Sequence, residues 1–202
     1  FERGNTDILI GTQMVTKGLD FDNVEVVGIL NADSMLKFPD FRALERAYQL
    51  MSQVAGRAGR KGERGKVIIQ TYDDKHEIIH QVKHHDYLQM CRKQLEERKI
   101  FKYPPYCRII SLNLQHKNEN KLDKLSKQFA TSLRKSFGNR VLGPESPLVS
   151  KVKNYYHKNI ILKIETDSSI KDAKNILLQM IEKYKELKDF RAVRINIDVD
   201  PY

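Results

Sequence analysis

Three short apolar runs mark the early part of the chain. Ile8-Leu9-Ile10 lies between Asp7 and Gly11, and an uninterrupted apolar triplet of this kind predicts a buried parallel strand. Val24 to Leu30, Val-Glu-Val-Val-Gly-Ile-Leu, predicts a second strand, and Lys66-Val-Ile-Ile-Gln-Thr-Tyr72 a third. Asn31-Ala-Asp-Ser34 has the composition of a turn. Phe38-Pro39-Asp40 then breaks the chain before a helix over about 41–55, with Asp40 as its N-cap and Tyr48, Leu50, Met51 and Val54 turned to a core. From Glu77 to about Phe101 the spacing of Ile78, Ile79, Val82, Tyr87, Leu88, Cys91 and Leu95 predicts one further helix, stopped by Tyr103-Pro-Pro-Tyr106. Strand, crossover, strand, helix, strand is the order of a doubly wound α/β lobe with a parallel sheet.

Past Pro105 the pattern changes, which predicts a domain boundary near residue 104 and two domains, 1–104 and 105–202. Arg108 to Gln115 alternates as a half-buried strand, and Asn120 to Phe137 is an amphipathic helix on Leu122, Leu125, Phe129 and Leu133. Val141 to Val149 reads as a turn-rich strand and Lys151 to Glu165 as a hairpin with a long inner strand. Asp167 or Ser168 is expected to cap a helix reaching about Leu187, and Ala192 to Val199 is a final strand. The order βαββαβ predicts a small α+β domain of ferredoxin-like type.

Charge sharpens this division. The 202 residues carry a formal net charge of +10, but residues 1 to 100 hold 16 Lys/Arg against 15 Asp/Glu, and the remaining 102 hold 20 against 11. A near-neutral first half followed by a half at +9 points the second towards a polyanion, unless those lysines are only a solubilising surface. Cys91 and Cys107 have neither Cys-x-x-Cys spacing nor a histidine at ligand spacing, so neither a disulfide nor a zinc site is expected. His80 and His84 are i and i+4, yet no carboxylate is arranged to complete a site, and no metal is expected there. No apolar run approaches the roughly twenty residues that span a bilayer, and no signal-peptide pattern opens the chain, so a cytoplasmic protein without membrane contact is expected. The first residue, Phe1, suggests a piece excised from a longer chain.

Candidate chemistry concentrates in Gln49 to Arg60, Gln-Leu-Met-Ser-Gln-Val-Ala-Gly-Arg-Ala-Gly-Arg. Gly56 and Gly59 are expected to end the helix in a tight backbone that projects Arg57 and Arg60. A guanidinium stays charged and offers a planar fork of donors, so two on one rigid turn suit a nucleotide γ-phosphate. The simpler alternative is a glycine-ended helix with two solvated arginines. A second concentration follows the first strand. Ligands approach open α/β sheets at the carboxyl ends of strands, and here that end carries Gly11, Thr12 and Gln13, then a loop with Lys17, Gly18 and Asp20.

Gln53 to Arg60, Gln-x-x-Gly-Arg-x-Gly-Arg, resembles motif VI of superfamily-2 helicases, and Asp7-Ile-Leu-Ile-Gly-Thr-Gln-Met-Val-Thr-Lys-Gly-Leu-Asp20 resembles their motif V. Asn31 to Arg46, Gly65 to Tyr72 and Leu95 to Tyr106 resemble the PriA-type branch, the primosomal replication-restart helicases. The resemblance implies the second of two RecA-like lobes, followed by a carboxyl-terminal domain that is also similar to a small-subunit ribosomal protein. It makes Arg60 the arginine finger, Arg57 its companion on phosphate and Gln53 the coupling residue. Gly18 and Asp20 would lie near the nucleotide, and Thr12, Gln13 and Lys17 would face the DNA backbone. Asp20 stands where some relatives place histidine, and Asp22 where proline is common. The turn at Asn31 to Ser34 would lie beside the nucleotide cleft.

ATP and Mg²⁺ are implied as cofactors, held mainly by a first lobe absent from this sequence, because Gly-x-x-x-x-Gly-Lys-Ser/Thr occurs nowhere in it. Zinc is implied only for a cysteine-rich module that precedes this region in the family. Implied partners are forked and single-stranded DNA, single-stranded DNA-binding protein, and other primosome and replicative-helicase-loading proteins, in a bacterial cytoplasm at the nucleoid. In the second half, Lys151, Lys153, Tyr155, Tyr156, His157 and Lys158 interleave cations with aromatics, as for phosphates and stacked bases. The same pattern also fits tyrosines alternating into a core beside edge-strand lysines, or a basic surface that receives an acidic peptide. The expected function is the carboxyl-terminal portion of an ATP-dependent DNA helicase of replication restart, inactive alone. Alternatives are a non-catalytic docking module and an RNA-directed translocase.

Overall fold

The computed structural model describes residues 5–12, 24–59 and 65–201, and its contacts divide the chain into two compact units, Phe1–Glu97 and Arg98–Tyr202. It is an α/β protein with one parallel and one antiparallel sheet among the described residues. No helix among them is long and apolar enough to cross a membrane.

In the first unit β1 (Val26–Ile29) and β2 (Lys66–Ile69) pair in parallel, Val26 opposite Lys66 and Ile29 opposite Ile69. Helices α1 (Ala32–Leu36), α2 (Ala43–Ala55), α3 (Glu77–Lys83) and α4 (Tyr87–Ile100) accompany them. Ala47, Tyr48 and Met51 fall on one face of α2 by helical spacing and pack with Ile29, Leu36, Ile78 and Met90, while Leu50 is only half-buried. Asp40 does the work expected of a cap from two residues ahead of the N-cap position. Its Oδ1 accepts the Arg42 N–H at 2.8 Å, its carbonyl accepts the Ala43 N–H at 2.9 Å, and its Oδ2 pairs with Arg46 at 3.0 Å.

Three expectations are corrected here. Ile8 and Ile10 are 75% and 84% exposed and residues 7–10 form no strand. An apolar run becomes a strand only where a neighbour completes its ladder, and none among the described residues does. The predicted turn at Asn31 to Ser34 opens α1 instead, after Asn31 takes a left-handed φ of 52°. The single helix predicted from Glu77 is two, α3 and α4. His85 breaks it with φ 54°, the Asp86 N–H bonds back to the Gln81 carbonyl at 2.8 Å, and Asp86 Oδ1 accepts the Gln89 N–H at 3.0 Å to start the next helix.

In the second unit β3 (Cys107–His116), α5 (Glu119–Phe137), β4 (Val141–Glu145), β5 (Lys151–Val152), β6 (Tyr155–Glu165), α6 (Ile170–Glu186) and β7 (Arg194–Val199) follow in order. The sheet order is β4-β6-β3-β7, with β5 extending the edge of β6, and every pairing is antiparallel. Period-two alternation places Ile110, Leu112 and Leu114 of β3 and Ile160, Leu162 and Ile164 of β6 on one face. Phe129 and Leu133 of α5 and Leu177 of α6 cover that face, together with Phe190. The caps agree with the sequence pattern to within a residue or two. Asn118 Oδ1 accepts the Lys121 N–H at 2.9 Å, and Ser169, rather than Asp167 or Ser168, caps α6 through the Asp172 N–H at 3.2 Å. Along 101–107 the chain is pinned to the sheet: Lys163 donates to the Phe101 carbonyl at 2.8 Å and lies 3.8 Å over the Tyr103 ring. Burial holds the Lys163 ammonium below its ordinary range and pushes the Cys107 thiol up.

Candidate functional site

The Gly-Arg turn is built by the end of α2 and fastened by backbone. The Gly56 N–H bonds the Ser52 carbonyl at 3.0 Å and the Arg57 N–H bonds that of Val54 at 3.0 Å, which tightens the last helical turn. Gly56 itself has φ −67°, an ordinary right-handed value, so the two glycines do not end the helix together as expected. The reversal belongs to Gly59, at φ 79°, whose N–H reaches the Val24 carbonyl at 3.1 Å. Val24 precedes β1, and the turn therefore sits at the amino-terminal edge of the parallel sheet.

A third glycine, which the motif did not draw attention to, closes this arrangement. A Cβ on Gly65 would stand 2.2 Å from the Gly59 nitrogen and 2.4 Å from the Ala58 carbonyl carbon. The obstructing atoms are backbone and cannot swing aside. Gly65→Ala is therefore expected to destabilise the first unit by about 1–3 kcal/mol in urea unfolding, with amide shifts concentrated at Ala58 and Gly59. A variant with wild-type stability and spectrum would show that the two segments do not meet.

Arg57 is half-buried on this turn and Gln53 is exposed on the last part of α2. Thr12 is exposed. Gln13, Lys17, Gly18, Asp20 and Arg60 lie outside the described residues. The opposite edge of the sheet holds a different cluster. At the carboxyl ends of β1 and β2 the Asp33 carboxylate accepts the Tyr72 N–H at 3.0 Å and the Thr71 hydroxyl at 3.3 Å, and the Ala32 N–H bonds the Gln70 carbonyl at 3.0 Å. The Tyr72 N–H, before any other contact, holds the buried Asp33 carboxyl below its usual range. These bonds favour the ionised form, so the stability they contribute is present above the ordinary aspartate pKa and is lost as pH falls through the lowered one. Asn31 to Ser34 thus fasten β1 to β2. They lie at the other end of the strands from the Gly-Arg turn.

In the second unit β5 and β6 form the expected hairpin, with Lys151 opposite Tyr156 and Val152 opposite Tyr155. Its two-residue turn is Lys153-Asn154, with φ 46° and 65°, the conformation that fits the twist of paired strands. The register then separates side chains that the sequence had grouped. Tyr155 lies on the face away from the helices, with the Arg194 guanidinium 4.5 Å and the Lys117 ammonium 5.9 Å from its ring centre. Tyr156 turns the other way and packs against the core, with Lys151 4.8 Å over its ring. Lys158 also faces the helices: its side chain is 17% exposed and pairs with Asp123 of α5 at 3.2 Å, beside Lys127 at 2.6 Å. The Lys127 and Lys158 hydrogen bonds hold the Asp123 carboxyl below its usual range. Lys151 and Lys153 remain exposed. Arg194 and Lys117 had no local signal, because only strand pairing brings them to Tyr155.

Residues 99–202 match the family described as primosomal protein N C-terminal domain, and residues 1–62 match the helicase conserved C-terminal domain. Replication restart protein PriA of Bacillus subtilis is 37% identical over 204 residues, covering 100% of this chain and 25% of its own length. The chain belongs to the PriA family of replication restart proteins. PriA of Synechocystis sp. is likewise 37% identical over the whole chain, which covers 24% of that relative. PriA of Chlamydia pneumoniae is 44% identical over 110 residues, 54% of this chain. The chain spans about a quarter of the length of the first two PriA proteins, and its second half matches the carboxyl-terminal domain of that family.

Proposed function

We propose that this chain supplies the arginine finger and DNA-binding surfaces of an ATP-dependent DNA helicase that recognises and remodels stalled replication forks and starts primosome assembly. In this reading the first unit is the carboxyl-terminal part of the second RecA-like lobe. Arg60 stabilises charge on the transferring γ-phosphoryl group, Arg57 contacts phosphate beside it, and Gln53 couples the nucleotide to DNA. Gly18 and Asp20 complete the nucleotide side, and Thr12, Gln13 and Lys17 face the DNA backbone. The observation that carries this is the Gly-Arg turn itself. It is held by the Gly59–Val24 hydrogen bond at 3.1 Å and backed by Gly65, so that a guanidinium reaching from it is preorganised. The sequence has no Gly-x-x-x-x-Gly-Lys-Ser/Thr, so the phosphate loop and the Mg²⁺ ligands belong to a first lobe, and the chain alone hydrolyses no ATP.

The second unit is read as a ferredoxin-like domain, supported by its order of elements and by the strand order β4-β6-β3-β7. Lys151, Lys153 and Lys117 engage phosphates and Tyr155 offers a ring for an unpaired base. Tyr156 and Lys158 support the hairpin from the helix side. Single-stranded DNA-binding protein and primosome components are the protein partners, at the bacterial nucleoid.

The test is a titration of the 202-residue chain against a labelled DNA fork and a blunt duplex over a salt series. Three phosphate contacts give a log–log slope of about −2 or steeper, with tighter binding to the fork. Absence of binding at low salt would assign the basic surface to protein docking and refute its role on DNA.

A further inference from the structure

The sheet of the second unit has two faces, and only one is covered by α5 and α6. On the other face the register brings together residues far apart in sequence. Gln115 is opposite His157 on one side and Arg194 on the other, and Asn113 is opposite Asn159 and Asn196. Two polar rows therefore cross three strands, spaced by two residues or about 6–7 Å along each strand. Tyr155, between the cations of Arg194 and Lys117, stands two residues beyond the first row on β6.

The amides are already ordered. Asn113 donates to Asn159 Oδ1 at 2.7 Å and accepts from Gln115 Nε2 at 2.7 Å, and His157 Nδ1 lies 3.2 Å from the same Asn113 oxygen. That oxygen accepts, so the imidazole faces it with Nδ1 as the donor. Nε2 is buried and has no partner. Arg194 and Asn196 are exposed at the edge of this network. Beyond the second row Ser111 is opposite the exposed Asp198, whose charge bounds an anionic ligand's footprint.

We infer that this face binds the bases of a single DNA strand, reading their edges through the Asn159 and Asn196 amides, with Asn113 holding Asn159 in place, while Tyr155 and Arg194 stack on a ring. The inference rests on the proposed DNA binding by the second unit and adds what that unit recognises. A carboxamide presents a donor and an acceptor side by side, which matches the paired donor and acceptor on a base edge. Three strands side by side span about 10 Å before their side chains are counted, too broad for the face as a whole to enter a major groove about 12 Å wide, whereas splayed, unpaired bases can lie on it. The row spacing exceeds the stacking distance of adjacent bases, which suits unstacked nucleotides. A surface built for phosphate alone would carry lysines in these rows rather than amides.

Fluorescence anisotropy of the 202-residue chain with three labelled DNAs tests this: a mixed-sequence single strand, a strand of equal length with abasic positions, and a blunt duplex. The base-bearing strand is expected to bind about tenfold more tightly than the abasic one. Asn196→Ala and Tyr155→Leu should each remove most of that difference, and Tyr155→Phe should keep it. Circular dichroism of each variant confirms folding, and the exposed position of Asn196 keeps the test valid if Tyr155→Leu fails to fold. Equal binding of base-bearing and abasic strands refutes base reading and leaves phosphate binding in place. Discrimination that survives both Asn196→Ala and Tyr155→Leu refutes this face as its source. Failure to bind any of the three DNAs refutes the DNA-binding reading along with this one.

Discussion

Arg60→Ala, introduced into a protein that joins this chain to a lobe with a phosphate loop, should lower DNA-stimulated ATP hydrolysis by about three orders of magnitude or more. The size follows from what an arginine finger does. Negative charge spreads over the equatorial oxygens of the transferring group, and a guanidinium already aimed there stabilises the transition state without reorganisation. Arg57→Ala should also lower turnover, because Arg57 lies on the turn that the Gly59–Val24 hydrogen bond fastens. The readouts are kcat for ATP with and without DNA, plus a urea titration to show that folding survives. Unchanged kcat in Arg60→Ala would remove the arginine-finger assignment. DNA-stimulated hydrolysis by the 202-residue chain alone, lost with Arg60, would remove the requirement for the other lobe.

Phe129→Ala should destabilise the second unit by about 3–5 kcal/mol. Phe129 is fully buried, its ring meets Tyr184 edge-on at 4.9 Å between centroids, and it lies 5.5 Å from Phe190, so truncation empties the junction of α5, α6 and the sheet. Small domains are stable by only about 5–15 kcal/mol, so this single change brings the unit close to unfolding. The urea midpoint followed by far-ultraviolet circular dichroism should fall sharply, and DNA binding should fall with it, because the hairpin and the polar rows belong to the same sheet. Ile176→Ala, at a position 40% exposed on α6, is the control and should shift the midpoint little. A midpoint for Phe129→Ala within the range of that control would show that the aromatic junction does not hold the unit together.

The candidate site was readable where chemistry is local in sequence. Gln53, Arg57 and the glycines of the turn lie within one helix end, so the sequence places them together, as an anion-facing turn or as a glycine-ended helix with solvated arginines. Gly65 was not readable, because its role depends on two segments whose backbones meet only in the fold. The hairpin shows the same limit from the other side. Alternating cations and aromatics at Lys151 to Lys158 signalled a surface, but a strand sends successive side chains to opposite faces. Only the pairing of Leu114 with Lys158 and of His116 with Tyr156 shows which members face the helices. In the first unit, the predicted strand at Ile8 to Ile10 failed because apolarity supplies a reason to be buried but no ladder partner.

By itself the sequence determined the periodicities, and with them the helices on Tyr48 and Met51 and on Leu122 and Phe129, the alternating strands, and the excess of positive charge in the second half. These depend on neighbours within a few residues, through backbone geometry and side-chain spacing. Tertiary structure decided the register. It set Arg194 beside Tyr155, joined Asn113 to Asn159 and Asn196, turned Lys158 towards Asp123, and put the Gly-Arg turn and the Asp33 cluster at opposite ends of two parallel strands. Those outcomes follow from long-range packing, in which one buried face fixes the orientation of every side chain on the other.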